Sequence, residues 1–178
     1  MDDEAIEYAA RVLDDIGKAM EKIGMVLYRY DVGKTYGIPT GVITFPDERS
    51  ESWAISCNVL MTHMEEAPIG FVQLFARLMD PLPEKRYTLE MFIEGCSKKF
   101  LLGSVGIFED YLTMRYVLVL EQPRAINTDN FGTVLAVFVK QAEAVNRAAA
   151  GLCNGSLTME QALDFNTLEL GGRYVCSE

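Results

Sequence analysis

One stretch near the end of this chain limits the folds open to it more than any other. Phe131, Leu135, Phe138, Val139, Ala142, Val145 and Ala149 recur every three or four residues, so they share one face of a helix, which Val134 and Val137 broaden. Asn127 or Thr128 supplies an N-cap and Asn154-Gly155 a stop, so the pattern predicts one long helix running to about Leu152. A stripe this wide has to be buried against another layer of the same domain. Part of it is also a candidate for pairing with a second copy, because Ala148-Ala149-Ala150 would let two helices approach closely.

The rest of the chain supplies that layer. A first amphipathic helix spans Asp2 to Gly24, with Ile6, Ala9, Ala10, Leu13, Ile16, Met20 and Ile23 on its apolar face. Asp2, Asp3 and Glu4 complement the helix dipole at its start, as Lys18 and Lys22 do at its end. Three extended segments follow. The first joins Met25–Tyr30 to Tyr36–Phe45 across an interruption at Asp31, Gly33 and Gly37, and Pro39 suggests an edge or a bulge. Trp53 to His63 is the second. Phe71 to Met79 is read as the third, although Phe71, Leu74, Phe75 and Leu78 also fit helical spacing. A shorter helix from Thr88 to Lys99 should bury Met91, Phe92, Gly95 and Cys96, with Thr88 as its cap. Strands Leu101–Phe108 and Tyr111–Leu120 then meet at Glu109-Asp110.

The expected fold is therefore α+β: a mostly antiparallel five-stranded sheet with helices packed on one face, in the order α-β-β-β-α-β-β-α. Residues 1–155 read as a single domain. Residues 156–178 read as an extension with one short helix about Thr158 to Phe165 and a loosely ordered tail.

Charge narrows the function classes. Of 178 residues, 26 are acidic and 16 basic, a formal net charge of −10. No basic stripe exists to release counterions from a phosphate backbone, so neither nucleic acid nor an anionic membrane is an expected partner. No apolar run is long enough to span a bilayer. The acidic opening is unlike a basic secretory leader, and Cys57, Cys96, Cys153 and Cys176 form no C-x-x-C pair. Both observations point to reduced thiols in a cytoplasmic protein, with Cys57 and Cys96 as core packing.

The usual catalytic signatures are missing. His63 is the sole histidine, and no nucleophile elbow accompanies it. With Glu65 and Glu66 it makes at best a weak ion site, so no metal is expected. Gly103-Ser104-Val105-Gly106 lacks the lysine and the helix of a phosphate loop, and its glycines read as a bulge. Glu109-Asp110 is a solvated turn. No cofactor motif is found, and the chain reads as non-enzymatic.

The element order, the acidic first helix, the Trp53 strand, the middle helix running straight into the Leu101–Leu120 hairpin and the long closing helix together resemble type III secretion chaperones and the related YbjN-type bacterial proteins. The resemblance covers roughly residues 3 to 152. It implies a small acidic cytoplasmic protein that binds other proteins, often as a homodimer, and it carries no catalytic residues. The leading expectation is a chaperone or regulatory adaptor that holds an extended or amphipathic segment of a partner on the sheet's edges or uncovered face. The candidate contacts are Trp53, Ile55, Val72 and Leu74, with Phe131, Leu135, Phe138 and Ala142 on the long helix. The alternative is a small-molecule-sensing domain with a pocket between sheet and closing helix, ringed by Tyr111, Arg115 and Tyr116.

Overall fold

The computed structural model describes residues 3–22, 24–30, 40–44, 54–64, 67–79, 83–99, 103–121 and 126–164. In chain order the elements are α1 (Asp3–Lys22), β1 (Val26–Tyr30), β2 (Thr40–Thr44), β3 (Ala54–Met64) and β4 (Ala67–Met79). After a 3-10 turn at Pro83–Lys85 come α2 (Arg86–Ser97), β5 (Ser104–Phe108), β6 (Tyr111–Glu121), α3 (Thr128–Asn154) and α4 (Met159–Ala162). The fold is α+β, with an open antiparallel sheet of six strands in the order β1-β2-β3-β4-β6-β5.

The sixth strand comes from the first extended segment, where the sequence suggested one interrupted strand. Tyr30 pairs with Thr40 and Val26 with Thr44, so the chain turns back on itself and the segment is two antiparallel strands. Pro39 and Asp31, Gly33 and Gly37 lie outside the described residues. β2 then pairs with β3 from Thr40↔Asn58 to Thr44↔Ala54, and β3 with β4 from Ile55↔Ala76 to Met64↔Ala67. In β4 the period-two pattern prevails over the helical one: Val72, Leu74, Ala76 and Leu78 are buried, whereas Phe71, Gln73 and Phe75 are half-buried.

Helix boundaries follow local chemistry. Gly24 ends α1 at φ +73°, with the Met25 amide donating to the Met20 carbonyl 2.9 Å away, the six-to-one bond of a left-handed helix stop. The buried face of α1 is Ala5, Tyr8, Ala9, Val12, Leu13, Ile16, Ala19 and Met20. It is rotated from the expected one, leaving Ile6 and Ala10 exposed. α2 starts two residues before the predicted Thr88. Lys85 occupies its N-cap without a side-chain bond, and the buried stripe is Leu89, Phe92 and Cys96, with Met91 turned outward. For α3 the cap is Asn127, whose Oδ1 accepts the Asn130 amide at 3.2 Å.

The chain packs as two compact units. The first comprises 1–76 and 115–135, the second 77–114 and 136–178. In the first, α1 lies on β1 and β3, and Tyr8, Leu13, Ile16, Met20, Ile43, Ile55, Val59, Val72, Leu74, Phe131 and Leu135 form the core. Close approach of α1 needs small residues beneath it. A Cβ on Gly70 would lie 2.6 Å from Tyr8 Cζ, and one on Gly41 would lie 3.1 Å from Leu13 Cδ2 and 2.7 Å from Leu27 Cδ1.

In the second unit α2 packs on β5, and the core includes Leu78, Leu89, Phe92, Cys96, Leu112, Met114, Phe138, Ala142 and Val145. The segment after α3 is described through Asp164. Thr158 and Gln161 cap α4 reciprocally, Leu163 sits against Gly95, and Lys99 Nζ donates to the Leu163 carbonyl. Residues 165–178, Cys176 among them, lie outside the described residues.

Candidate protein-binding surfaces

Strand alternation sorts the sheet residues of the first unit into two faces. Ile55, Cys57 and Val59 on β3 and Val72, Leu74 and Ala76 on β4 are fully buried on the face that carries α1. The register places Ser56 opposite Phe75, Asn58 opposite Gln73 and Leu60 opposite Phe71 on the other face. All six are half-buried, and Asn58 Nδ2 donates to Gln73 Oε1 at 3.1 Å across the strands.

β6 continues the same division. Leu112 and Met114 are buried, whereas Thr113, Arg115, Val117 and Val119 point the other way, Thr113 buried with its hydroxyl donating to the Gly106 carbonyl at 3.1 Å and the two valines 43% and 58% exposed. In the second unit the Arg77 guanidinium stacks 3.3 Å from the centroid of the Tyr111 ring. Arg77 shares a strand face with Phe71, Gln73 and Phe75, and Tyr111 shares one with Arg115, Val117 and Val119. The stack therefore puts Arg77 and Tyr111 on one face of that unit's strands.

Of the expected contact residues, Ile55, Val72, Leu74, Phe131, Leu135, Phe138 and Ala142 are all buried in the chain's own core. They hold the fold together and offer no surface to a partner. Trp53 lies outside the described residues. The correction has a simple cause: in β4 both faces are apolar, and α1 covers the smaller side chains. Of the residues expected to ring a pocket, Arg115 and Tyr116 are neighbours on one strand and point to opposite faces.

A second group of exposed apolar side chains belongs to the second unit. β5 is an edge strand, and its last residue, Phe108, is 59% exposed. Arg86 on the first turn of α2 pairs with Asp110 in the β5–β6 turn at 3.6 Å. That contact sets the first turn of α2, which includes Tyr87, beside the β5–β6 turn that follows Phe108. Tyr87 is 74% exposed, and Met91, one turn further along α2, is 45% exposed. An exposed edge with adjoining aromatic and Met side chains is a surface on which an extended segment can add a strand. The signal missed in the sequence was Met91, which lies about 130° round the helix from the centre of the Leu89–Phe92–Cys96 stripe.

The remaining chemistry is that of a core. Cys57, Cys96 and Cys153 are free and buried. Burial pushes the Cys57 thiol up to about 12 and the Cys96 thiol to about 12, the latter against the opposing pull of Lys99. Such thiols stay protonated and unreactive near neutral pH. Among the described residues no group of three or more His, Cys, Asp or Glu side chains could hold a metal ion, and no helix is long and apolar enough to cross a membrane. The buried Gln141 Oε1 on α3 and Tyr8 hydroxyl on α1 have no hydrogen-bond partner among the described residues. The Gly103–Gly106 segment is a bend at Gly103, with φ +77°, leading into a strand. No protein-family model matches the chain, and no curated protein sequence matches it significantly.

Proposed function

We propose that this chain is a non-enzymatic protein-binding domain, a chaperone or regulatory adaptor that acts on a partner protein in the cytoplasm. The observation that carries the reading is the end of β5, where Phe108 stands exposed on a strand edge that no described strand covers, with Tyr87 and Met91 exposed on α2. Natural edge strands are usually blunted by charge, proline or a covering element, because an open edge recruits other chains. Here the edge ends in an exposed phenylalanine instead. A partner segment laid antiparallel or parallel to β5 would gain backbone hydrogen bonds from the strand and apolar contact from α2. The kinship with type III secretion chaperones and YbjN-type proteins belongs to the same proposal and rests on element order alone.

The test is affinity capture of the tagged chain from its native lysate beside a Tyr87→Lys/Phe108→Lys variant. A stoichiometric protein retained by the wild type and lost by the variant is the expected result. An equally empty column for both would overturn the reading. A second copy of this chain is the other occupant the edge would accept. Light scattering on the purified protein would then give twice the monomer mass, falling to one in the variant.

A further inference from the structure

We propose that Asn154-Gly155, where α3 stops, is a covalent modification site at which the asparagine deamidates to aspartate and isoaspartate. The hydrogen-bonded helix stop around the pair holds that reaction back until the α4 segment lifts away. The proposal is independent of the protein-binding reading.

The chemistry begins with the sequence. Of the chain's six asparagines, Asn154 is the one followed by glycine; the others precede Val59, Thr128, Phe131, Arg147 and Thr167. In the reaction the Gly155 backbone nitrogen gives up its proton and attacks Cγ of Asn154. A cyclic succinimide closes, the Cγ–Nδ2 bond breaks, and the side-chain nitrogen leaves with that proton as ammonia. Water then opens the imide: its hydroxyl adds to one of the two carbonyl carbons and its remaining hydrogen goes to the ring nitrogen. Opening at one carbonyl gives aspartate and at the other isoaspartate, with water as the sole co-reactant. A side chain on the following residue hinders the closure, and glycine has none. Both residues are exposed, and a Cβ on Gly155 would meet nothing within 4 Å, so no described side chain crowds the glycine.

What restrains the pair is the way the helix ends. Asn154 is the last residue of α3, and closing the ring requires its backbone to leave the helical ψ. The Gly155 N–H, whose hydrogen must be lost, donates to the Leu152 carbonyl at 3.3 Å. The Leu157 amide donates to the Gly151 carbonyl at 3.0 Å, and Ser156 Oγ donates to the same oxygen at 3.3 Å. Asn154 Oδ1 accepts the Ser156 amide at 2.9 Å, which fixes the side chain. Leu157 packs so closely over Gly151 that a Cβ there would lie 2.6 Å from its Cδ1. Beyond it, the reciprocal caps of α4 and the seat of Leu163 on Gly95 tie the segment to α2. Ring closure therefore waits for a local opening, and its rate in the folded chain is the unfolded rate scaled by the population of that opening. Once formed, isoaspartate adds a carbon to the backbone and sets a negative charge against the last carbonyls of α3, so the stop does not reform.

The measurement is peptide mapping by mass spectrometry of the full chain aged at mildly alkaline pH, folded and in urea. In urea Asn154 should be the first asparagine converted. In the folded chain the same conversion should run about tenfold slower or more. Leu157→Ala should speed the folded reaction and leave the urea rate unchanged, because the reacting residues are the same. Thr158→Ala, which removes the α4 cap alone, should act in the same direction by less, and it decides the matter if Leu157→Ala unfolds the chain. In the aged product, hydrogen exchange should quicken at the amides of residues 155–163 and stay unchanged in β5 and β6. The proposal is overturned if another asparagine converts first in urea, or if folded and unfolded chains convert at equal rates. It is equally overturned if neither variant speeds the folded reaction, or if exchange after α3 is the same before and after conversion.

Discussion

The two faces of the sheet in the first unit are made from the same strands, yet they do different work. On β4 the covered face holds Val72, Leu74 and Ala76 above Gly70, and the open face holds Phe71, Gln73 and Phe75. The bulkier side chains are therefore not the ones that α1 buries. The helix sits where the strand surface is low, over Gly41 and Gly70, and its own Tyr8 and Leu13 fill the space that larger strand residues would have taken. Burial here is decided by how closely two elements can approach, and apolar bulk alone does not predict it.

The largest expected effect tests the covered face directly. Leu74→Ala removes most of a fully buried side chain and leaves a cavity beneath α1. It should cost about 3 kcal/mol, read as a lowered urea midpoint at unchanged slope. A cost below 1 kcal/mol would mean that α1 does not pack tightly on this strand.

The next tests the close approach itself. Gly70→Ala brings a Cβ to 2.6 Å from Tyr8 Cζ and 2.9 Å from Cε1, and the ring is almost fully enclosed. The ring must swing aside, at about 2 kcal/mol. Tyr8→Phe alone should be neutral or slightly stabilising, because the hydroxyl it removes is buried without a hydrogen-bond partner among the described residues. In the Tyr8→Phe background the Gly70→Ala penalty should shrink, since the nearest clashing atom is gone. Additivity in that double-mutant cycle would show that the two residues do not touch.

How much of this could be read from sequence differs by element. α3 was legible because its stripe repeats over five turns and Asn127 and Gly155 mark its ends. The buried stripe of α1 was legible in type but was placed one position off. Ile6 is aliphatic and looked internal, whereas Tyr8, which carries a hydroxyl, is the residue enclosed. The β1–β2 reversal was lost because a strand interrupted by glycines reads like a single irregular one. The docking faces were the least legible. Periodicity shows that Phe71 and Val72 point opposite ways, but only the position of α1 tells which way is in.

A smaller effect appears only at alkaline pH, and it again separates covered from open positions. The Cys57 thiol, held up to about 12 by burial in the folded chain, titrates near 9.0 when unfolded. Below 9 both states are protonated and its contribution is fully present. As pH rises from 9 toward 12 the unfolded chain releases a proton that the folded chain keeps, so stability falls over that window. Cys96 adds a second such group in the other unit. Urea midpoints measured near neutrality and again within that window should show the decline. Cys57→Ala should lower stability at neutral pH by leaving a small cavity, yet flatten the alkaline slope. An unchanged slope would place the titrating groups elsewhere.

The smallest expected effect belongs to the open face. Val119 is 58% exposed, so Val119→Asn gives up little buried area, although asparagine is poorer in a strand. Together these terms should stay within about 0.5 kcal/mol, against the ~3 kcal/mol expected at Leu74. A side chain more than half exposed on the open face should be exchangeable at little cost, whereas one enclosed on the covered face should not be. If Val119→Asn instead unfolds the protein at a midpoint close to that of Leu74→Ala, the valine is part of the core. The contrast between the two faces would then disappear.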